Sequence, residues 1–367
     1  MDETTRLAGL VQERISDVIS GHREDLTPLG GDSTPVLDEV YAHLSGGKRL
    51  RAQFATLGYR SVAPLDLSGD PGPELDQMLD VACALEFFHA AALIHDDVID
   101  RSDTRRGRPA VHKHFAAIHQ SNGWRGSAEH FGLSSAILLG DLLQSWADEQ
   151  LQRACDAAPE RGCAATARGH FNRMRSEVAI GQYLDVLEEQ IPSFAPEQEQ
   201  LARSTRVLVY KSAKYSVEAP LLIGAALAGA SAEQEQALAD FGLPVGVAFQ
   251  LRDDLLGVFG DQEVTGKPAG DDLAEGKRTI LVTIARSSLP VTQQRVFDEL
   301  IGDPHLDAEQ IEMLQRTIRG TGAVEQVEQM IARNLERATS ALAVSPLRPE
   351  ARAQLSALAQ RVSKRDF

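Results

Sequence analysis

The sequence predicts an all-α fold, and three observations carry that expectation. Apolar residues recur at steps of three and four through almost every punctuated segment. Aromatic residues make up only 5% of the chain, and alanine is abundant, a balance that favours helix over sheet. No convincing run of alternating strand pattern is present, and no short-period repeat.

The elements follow in order. The opening "MDETTRLAGLVQERIS" is acidic and lacks an apolar core, so it does not read as a signal peptide. "PLGGDSTP" (28–35) and "LSGDPGPE" (67–74) punctuate the first third. Residues 74–100 then run without Pro or Gly in helical period, as do 134–155 after the break "SNGWRGSAEHFG". Further helices are expected at 163–190, 197–229, 232–259, 292–302, 307–319 and 322–342. Breaks fall at "IPSFAPE" (191–197) and "DQEVTGKPAGDDLAEGKR" (261–278). Length alone, at 367 residues, would allow two domains. No stretch reads as a linker, so a single domain over 1–367 is expected.

Composition narrows the function. The net charge of −16 argues against a nucleic-acid binder, so any anionic ligand must meet a local basic patch. Three cysteines, Cys83, Cys155 and Cys163, have no CxxC spacing, which argues against a disulfide framework or a zinc site. The run "PLLIGAALAGA" (220–230) is too short to span a bilayer. A cytoplasmic protein without a transmembrane segment is the expectation.

The chemistry gathers where apolar helices end. "LIHDDVIDRSDTRRGRPAVH" (93–112) brings Asp96, Asp97 and Asp100 within a few residues of Arg105 and Arg106. Asp96 and Asp100 are four apart, so a helix places both on one face, one turn apart. Like charges there repel, and at a helix C-terminus they also oppose the macrodipole. A hard divalent cation would relieve both, and Mg2+ takes a few carboxylates together with substrate phosphate oxygens. The bland alternative is a solvated acidic helix end.

A second acidic pair, Asp253 and Asp254, follows the apolar "PVGVAFQLR". Alone it is as compatible with a surface as with a pocket mouth. "GGKRLR" (46–51) offers Lys48, Arg49 and Arg51 after two glycines, without the spacing of a Walker A loop. Lys211, Lys267 and Lys277 add cations beside polar segments. Two acid clusters with many cations imply two diphosphates, and apolar helices behind them imply a greasy substrate body. That combination suits ionisation of an allylic diphosphate in a dry pocket.

At these segments the sequence resembles the trans-isoprenyl diphosphate synthases, or polyprenyl synthetases. The matching stretches are "GGKRLR", "FFHAAALIHDDVIDRSDTRRGRP", "YKSAKYSVEAP", "GVAFQLRDDLLGVFGD" and "TGKPAGDDLAEGKRT", in family order across 46–279. The first motif, DDxxDxxxxRRG, is matched in full. The finer flavour is similar to actinobacterial geranylgeranyl diphosphate synthases. The resemblance implies the isoprenoid synthase fold, a single helical bundle around a deep central cavity. It also implies a homodimer, and three Mg2+ ions per site.

Roles follow position by position as implications of the resemblance. Asp96 and Asp100 would ligate Mg2+, supported by Asp97, and Asp253, with Asp254 beside it, would ligate a further ion. Arg105, Lys211 and Lys267 would grip the allylic diphosphate, whether dimethylallyl, geranyl or farnesyl. Lys48, Arg51, His89 and Arg106 would hold isopentenyl diphosphate, with Gly47 letting it approach the backbone. Ser212 and Gln250 would line the reacting centre, and Lys277 would help close the site. The reaction would be ionisation, condensation and elimination, with released diphosphate as the base.

Three departures stand out. The family's second motif usually reads DDxxD, and Gly257 replaces its last Asp. Asp261 lies two turns beyond Asp253, about 12 Å along a helix, too far to share one ion. Ser212 stands where Thr is common, and Ala52 follows Arg51 where Pro is usual.

Product length has its own candidates. Ala91 and Ala92, one turn before the acids, are small and would leave a tunnel open, while Phe87 and Phe88 lie a turn deeper as a floor. A turn of about 5.4 Å approximates one isoprene unit, which points to C20 rather than C15. His95 reads as ordering the helix end, His112 and His114 as lid or surface residues, and Trp124 and Trp146 as packing. Two rivals stay open: a class I terpene cyclase, which would have no use for "GGKRLR", and a weakly active partner subunit, for which Gly257 is the one argument.

Overall fold

A computed structural model describes residues 3–68, 72–190, 197–260, 270–303 and 305–363. It bears out the all-α expectation. The helices are α1 (Glu3–Asp25), α2 (Thr34–Leu44), α3 (Leu50–Val62), α4 (Pro73–Ile99), α5 (Val111–Ser121), α6 (Ala128–Asp156), α7 (Arg161–Gln190) and α8 (Glu197–Val207). A π-helical segment, Leu208–Glu218, leads into α9 (Ala219–Leu227) and α10 (Ala232–Phe259). Then come α11 (Asp271–Glu275), α12 (Ile280–Ser287), α13 (Val291–Leu300), α14 (Ala308–Gly320), α15 (Ala323–Ala343) and α16 (Pro349–Ser363). Among the described residues one small hairpin, β1 (Thr104–Arg105) and β2 (Arg108–Pro109), interrupts the helices.

By contacts the chain forms two compact units, each built from discontinuous segments. Unit 1 comprises Met1–Asp103, Pro109–Phe171 and Pro220–Glu235, and unit 2 comprises Thr104–Arg108, Asn172–Ala219 and Gln236–Phe367.

Unit 1 is organised around α4. Leu75 to Ala91 of this helix is almost continuously buried, as expected for a helix that is apolar on every side. By length and hydropathy α4 could cross a bilayer, which the reading of 220–230 alone did not anticipate. However, 78% of its most apolar window is buried inside the protein, so it is a core helix. Its main partner is α6. His95 lies against Gly140, Phe87 against Trp146, and the Gln77 side chain donates to the Ala154 carbonyl at 2.8 Å. These contacts run in opposite senses along the two helices, so α4 and α6 are antiparallel. α1 adds Leu7, Val11, Ile15, Val18 and Ile19, a helical stripe facing this core.

Unit 2 is organised around α12, whose residues 280–285 are all buried. Leu251, Leu255 and Val258 of α10 join it in one apolar cluster with Leu314, Ile318, Val327 and Ile331. The ends are tied by ion pairs. Arg252 of α10 grips Glu328 with both guanidinium nitrogens at 2.6 and 2.7 Å, and Asp298 accepts from Arg278 and Arg286.

The expected helix over 197–229 differs in one respect. Its middle is π rather than α, with the Ala219 N–H reaching back five residues to the Lys214 carbonyl. Two local features account for this. Pro220 lacks an N–H and its ring crowds the preceding turn. In addition, Gly181 of α7 and Gly246 of α10 let neighbouring backbone approach closely. A Cβ at Gly181 would lie 2.4 Å from the Lys211 nitrogen, and one at Gly246 would lie 2.3 Å from the Ala213 oxygen.

Candidate active site

Unit 1 carries the first acidic motif at the end of α4. The Asp100 N–H closes the last turn on the Asp96 carbonyl at 2.8 Å, and the Ser102 N–H takes the Asp97 carbonyl at 3.0 Å. Asp96 and Asp100 are half-buried on one side of the helix, and Asp97 turns inward to complete burial. A buried carboxylate at a helix C-terminus is not a solvated acidic end, because burial disfavours the charge. His95 turns the other way, its Nε2 3.2 Å from the Ile137 carbonyl oxygen on α6.

"GGKRLR" is the turn that starts α3. Gly46 and Gly47 have φ of 73° and 97°, and Arg49 is left-handed at 47°. The two glycines adopt such φ without strain, whereas Arg49 needs its surroundings to hold it there. It is buried, donating to Glu86 Oε2 of α4 at 2.8 Å, to Gln12 Oε1 at 2.8 Å and to the Leu44 carbonyl. Arg49 therefore braces the turn. Lys48 is exposed and Arg51 half-buried. His89, two turns before Asp96, shares its side of α4, and α3 packs on α4.

The length candidates separate by face. With 3.6 residues per turn, Ala92 lies one turn behind Asp96 on the same side, and Phe88 lies within about a quarter-turn of it. Ala91 and Phe87 fall on the far side. Phe87 packs edge-on against Trp146, which stacks on His22 with centroids 4.0 Å apart. Phe88 instead meets Phe171 of α7 at 6.1 Å. Ala92 and Phe88 therefore share the side of Asp96, whereas Ala91 and Phe87 do not. Trp124, on the exposed side, packs on Phe131. His112 is buried, contrary to its reading as a lid or surface residue, because its turn of α5 lies directly on Gly132 of α6.

Unit 2 carries the remaining described candidates. Arg105 lies in β1, and Arg106 and Gly107, at φ 53° and 71°, form the two-residue turn to β2. Both central residues being left-handed is the type I′ geometry that suits a hairpin's twist. The sequence analysis did not anticipate this hairpin. Lys211 and Ser212 stand on the π-helical segment, and Lys211 Nζ donates to Asp185 Oδ2 of α7. Asp185 is buried and was not anticipated; it fixes the direction of the Lys211 side chain.

At the end of α10, Asp253 is exposed and Asp254 buried. The Gln250 amide donates to Asp254 Oδ1 at 2.9 Å. Burial pushes the Asp254 carboxyl up to about 8, and the charges of Asp272, Asp253 and Asp185 add to the shift against the Gln250 hydrogen bond. Lys277 follows α11, its Nζ 2.5 Å from Glu275 and 3.7 Å from Asp272. Lys267 and Asp261 lie outside the described residues.

Among the described residues no three His, Cys, Asp or Glu side chains close into a protein-only metal cage. The donors present are carboxylate oxygens, one or two per helix end. That set fits a hard cation that keeps most of its water, as Mg2+ does, and does not fit zinc or a soft metal.

Comparison with known proteins agrees with this layout. A sequence profile of the family described as polyprenyl synthetase matches residues 34–318. The chain is 33% identical over 319 residues to a short chain isoprenyl diphosphate synthase of Methanothermobacter thermautotrophicus, covering 86% of this chain and 85% of the relative. It is 32% identical to a geranylgeranyl diphosphate synthase of Methanosarcina mazei, over 82% of this chain and 80% of that one. Further relatives are named as geranylfarnesyl and octaprenyl diphosphate synthases. Among solved structures, the geranylgeranyl pyrophosphate synthase of Corynebacterium glutamicum, complexed with isoprenyl diphosphate and magnesium, superposes with a TM-score of 0.90. It is 38% identical, with both chains covered completely. With its helical fold, its acid-tipped α4 and its sequence match in accord, this chain belongs to the polyprenyl synthetase family.

Proposed function

We propose that the protein is a trans-prenyltransferase that condenses isopentenyl diphosphate with an allylic diphosphate to a C20 product, geranylgeranyl diphosphate. The observation that supports this most is the end of α4, where Asp96 and Asp100 share one side and the hairpin carrying Arg105 and Arg106 follows. Asp96 and Asp100 would hold Mg2+ on α4, and Asp253 would hold it on α10. When bound, Mg2+ supplies positive charge to the departing diphosphate.

The chain's own residues do the rest. Arg105, Lys211 and Lys267 bind the allylic diphosphate, the guanidinium making paired contacts and the ammoniums point-charge ones. Asp185 keeps Lys211 extended for that contact. Lys48, Arg51, His89 and Arg106 bind isopentenyl diphosphate, with Gly47 bringing backbone close to it. Ser212 and Gln250 orient the reacting ends, and Lys277 helps exclude water. The apolar side of α4 shelters the allylic cation. Ala92 admits the growing chain, and Phe88 with Phe171 behind it stops the chain at C20. The spread of product lengths among the relatives makes this the finest part of the reading. A cytoplasmic homodimer completes the proposal.

The test is incubation of the purified protein with Mg2+, isopentenyl diphosphate and each of dimethylallyl, geranyl and farnesyl diphosphate, with sizing of the products. A C20 product that requires isopentenyl diphosphate is expected. A product formed without isopentenyl diphosphate would mean a cyclase. No turnover by the protein alone would leave it as a partner subunit.

A further inference from the structure

The turn that opens α3 is held by side chains of α1, α3 and α4. Gln12 of α1 accepts twice at one oxygen, Oε1: from the Gly46 N–H at 3.0 Å and from Arg49 Nη2 at 2.8 Å. Its Nε2 is buried without a hydrogen-bond partner among the described residues, so the turn is what this amide serves. The Gln53 side chain of α3 donates to the Lys48 carbonyl. Arg49 folds back to the Leu44 carbonyl and ends on Glu86 Oε2 of α4 at 2.8 Å. Gly46, Gly47 and Arg49 all have positive φ. Glycine enters either half of φ at little cost, so the bare turn has several conformations open to it. The side-chain ties select one.

Glu86 and Arg49 are both buried. A buried ion pair adds little net stability over apolar side chains of the same volume, so stability alone is a weak reason for placing one here. What such a pair does fix is geometry, because the guanidinium bonds a carboxylate only along set directions. Glu86 stands three residues before His89, about 4.5 Å along the axis of α4. Lys48 and Arg51 stand on either side of Arg49 in sequence. The one link from Arg49 to Glu86 therefore joins the turn that carries two of the proposed isopentenyl diphosphate ligands to the stretch of α4 that carries a third.

We propose that Glu86 and Gln12 are positioning residues for isopentenyl diphosphate. Acting through Arg49 and the Gly46 N–H, they set the placement of Lys48, Gly47 and Arg51 against His89. They touch no substrate. This rests on the proposed prenyltransferase reading and says how one of its two diphosphate sites is kept in shape.

The test separates positioning from bracing. The purified protein is assayed with Mg2+, varying isopentenyl diphosphate at saturating farnesyl diphosphate and then the reverse, with a melting curve for each variant. Gln12→Leu removes the shared acceptor and strands no charge. It should raise KM for isopentenyl diphosphate by about tenfold, since shifting a binding group by about 1 Å can cost up to about 10²-fold. Its kcat and its KM for the allylic substrate should stay within about twofold of the parent, the pattern of lost uniform binding at one site. Gln12→Glu, which keeps the acceptor, should restore the parent KM. Glu86→Gln combined with Arg49→Met leaves no buried charge unpaired and should melt nearer the parent than Arg49→Met alone, yet show the raised KM for isopentenyl diphosphate. A brace that only adds stability would recover both together. A parent KM for isopentenyl diphosphate in folded Gln12→Leu overturns the proposal, whether or not the double variant folds. So does an equal rise in both KM values. If the parent neither turns over nor binds isopentenyl diphosphate by calorimetry, the prenyltransferase reading falls and this inference with it; a parent that turns over while the variants keep its KM sinks the inference alone.

Discussion

α4 and α10 end in the same way and then diverge. Each carries two adjacent aspartates in its last two turns, with the first the more accessible (Asp96 half-buried, Asp253 exposed) and the second buried (Asp97, Asp254). Burying one carboxylate of a pair is unfavourable unless something compensates it, so neither end is a solvated acidic tail. Beyond the pair, α4 supplies its third carboxylate from its own next turn, at Asp100. α10 has Gly257 at that step and meets the carboxylate of Asp272 from another element. The lesson is that two alike runs of sequence can end in different surroundings, and only the run itself is visible as spacing.

The largest expected effect tests whether the two ends carry equal weight. Asp96→Ala removes a cation ligand from the complete cluster, and kcat should fall on the order of 10³-fold, comparable to removing a principal transition-state contact. Asp253→Ala should fall by about 10²-fold, because a cation held by one carboxylate of α10 contributes less than one held by the pair on α4. Steady-state rates at saturating Mg2+ measure both. Equal losses would break the proposed asymmetry between α4 and α10.

A second comparison concerns cations. Unit 1 commits Arg49 to a buried pair with Glu86, whose side chains are 4% and 6% exposed, while in unit 2 the side chains of Lys211 and Asp185 are 18% and 11% exposed. Removing one partner of a buried pair strands the other, at about 3–5 kcal/mol. Arg49→Met should therefore lower the denaturation midpoint sharply, whereas Lys211→Met, which strands the less enclosed carboxylate of Asp185, should lower it less and raise KM for the allylic substrate. If Arg49→Met unfolds at the parent's midpoint, its role as a brace is wrong.

Much of this was legible before any coordinates. The period of 74–100 marked α4, and the four-residue step from Asp96 to Asp100 placed both on one side. What escaped depended on contacts or on unusual backbone. Arg106 holds a left-handed φ of 53° that few non-glycine residues adopt, so "RRGRP" carried no clear turn signal. "GGKRLR" offered three cations of equal promise, and only the fold commits Arg49 to Glu86. The π-helical turn under Lys211 depends on glycines 30 residues before and 35 residues after it, at 181 and 246. Asp272 was passed over for the same reason: its carboxylate comes beside Gly257 only through the tertiary fold.

A smaller effect separates the two phenylalanines of α4. Phe88→Ala should lengthen the product by about one isoprene unit, since a helical turn spans about 5.4 Å. Phe87→Ala opens a cavity against Trp146 and should lower stability by about 3–5 kcal/mol without moving product size. Chromatography of dephosphorylated products, with melting curves alongside, distinguishes them. A product ladder that shifts with Phe87→Ala and not with Phe88→Ala would reverse the assignment of faces.

The subtlest expectation concerns the buried aspartate of α10. Burial and neighbouring carboxylates push Asp254 up to about 8, far above the range of an unfolded carboxylate, near 4. The folded state therefore holds this proton where the unfolded chain has released it. As pH rises from about 4 the unfolded state ionises first, and the fold loses stability from this group until about pH 8, beyond which the loss is constant. Asp254→Asn keeps the shape, removes the titration and should flatten that slope. The check is melting in a metal chelator at several pH values from 5 to 9. The parent should lose stability relative to Asp254→Asn as pH climbs, and parallel curves would show that Asp254 is ionised throughout. A cation at Asp253 would favour the ionised form, so added Mg2+ should shrink the difference between the two proteins at neutral pH. The same measurement with Asp272→Asn, which removes one of the charges acting on Asp254, should shift the parent's curve toward lower pH, tying the buried aspartate to the carboxylate that stands over Gly257.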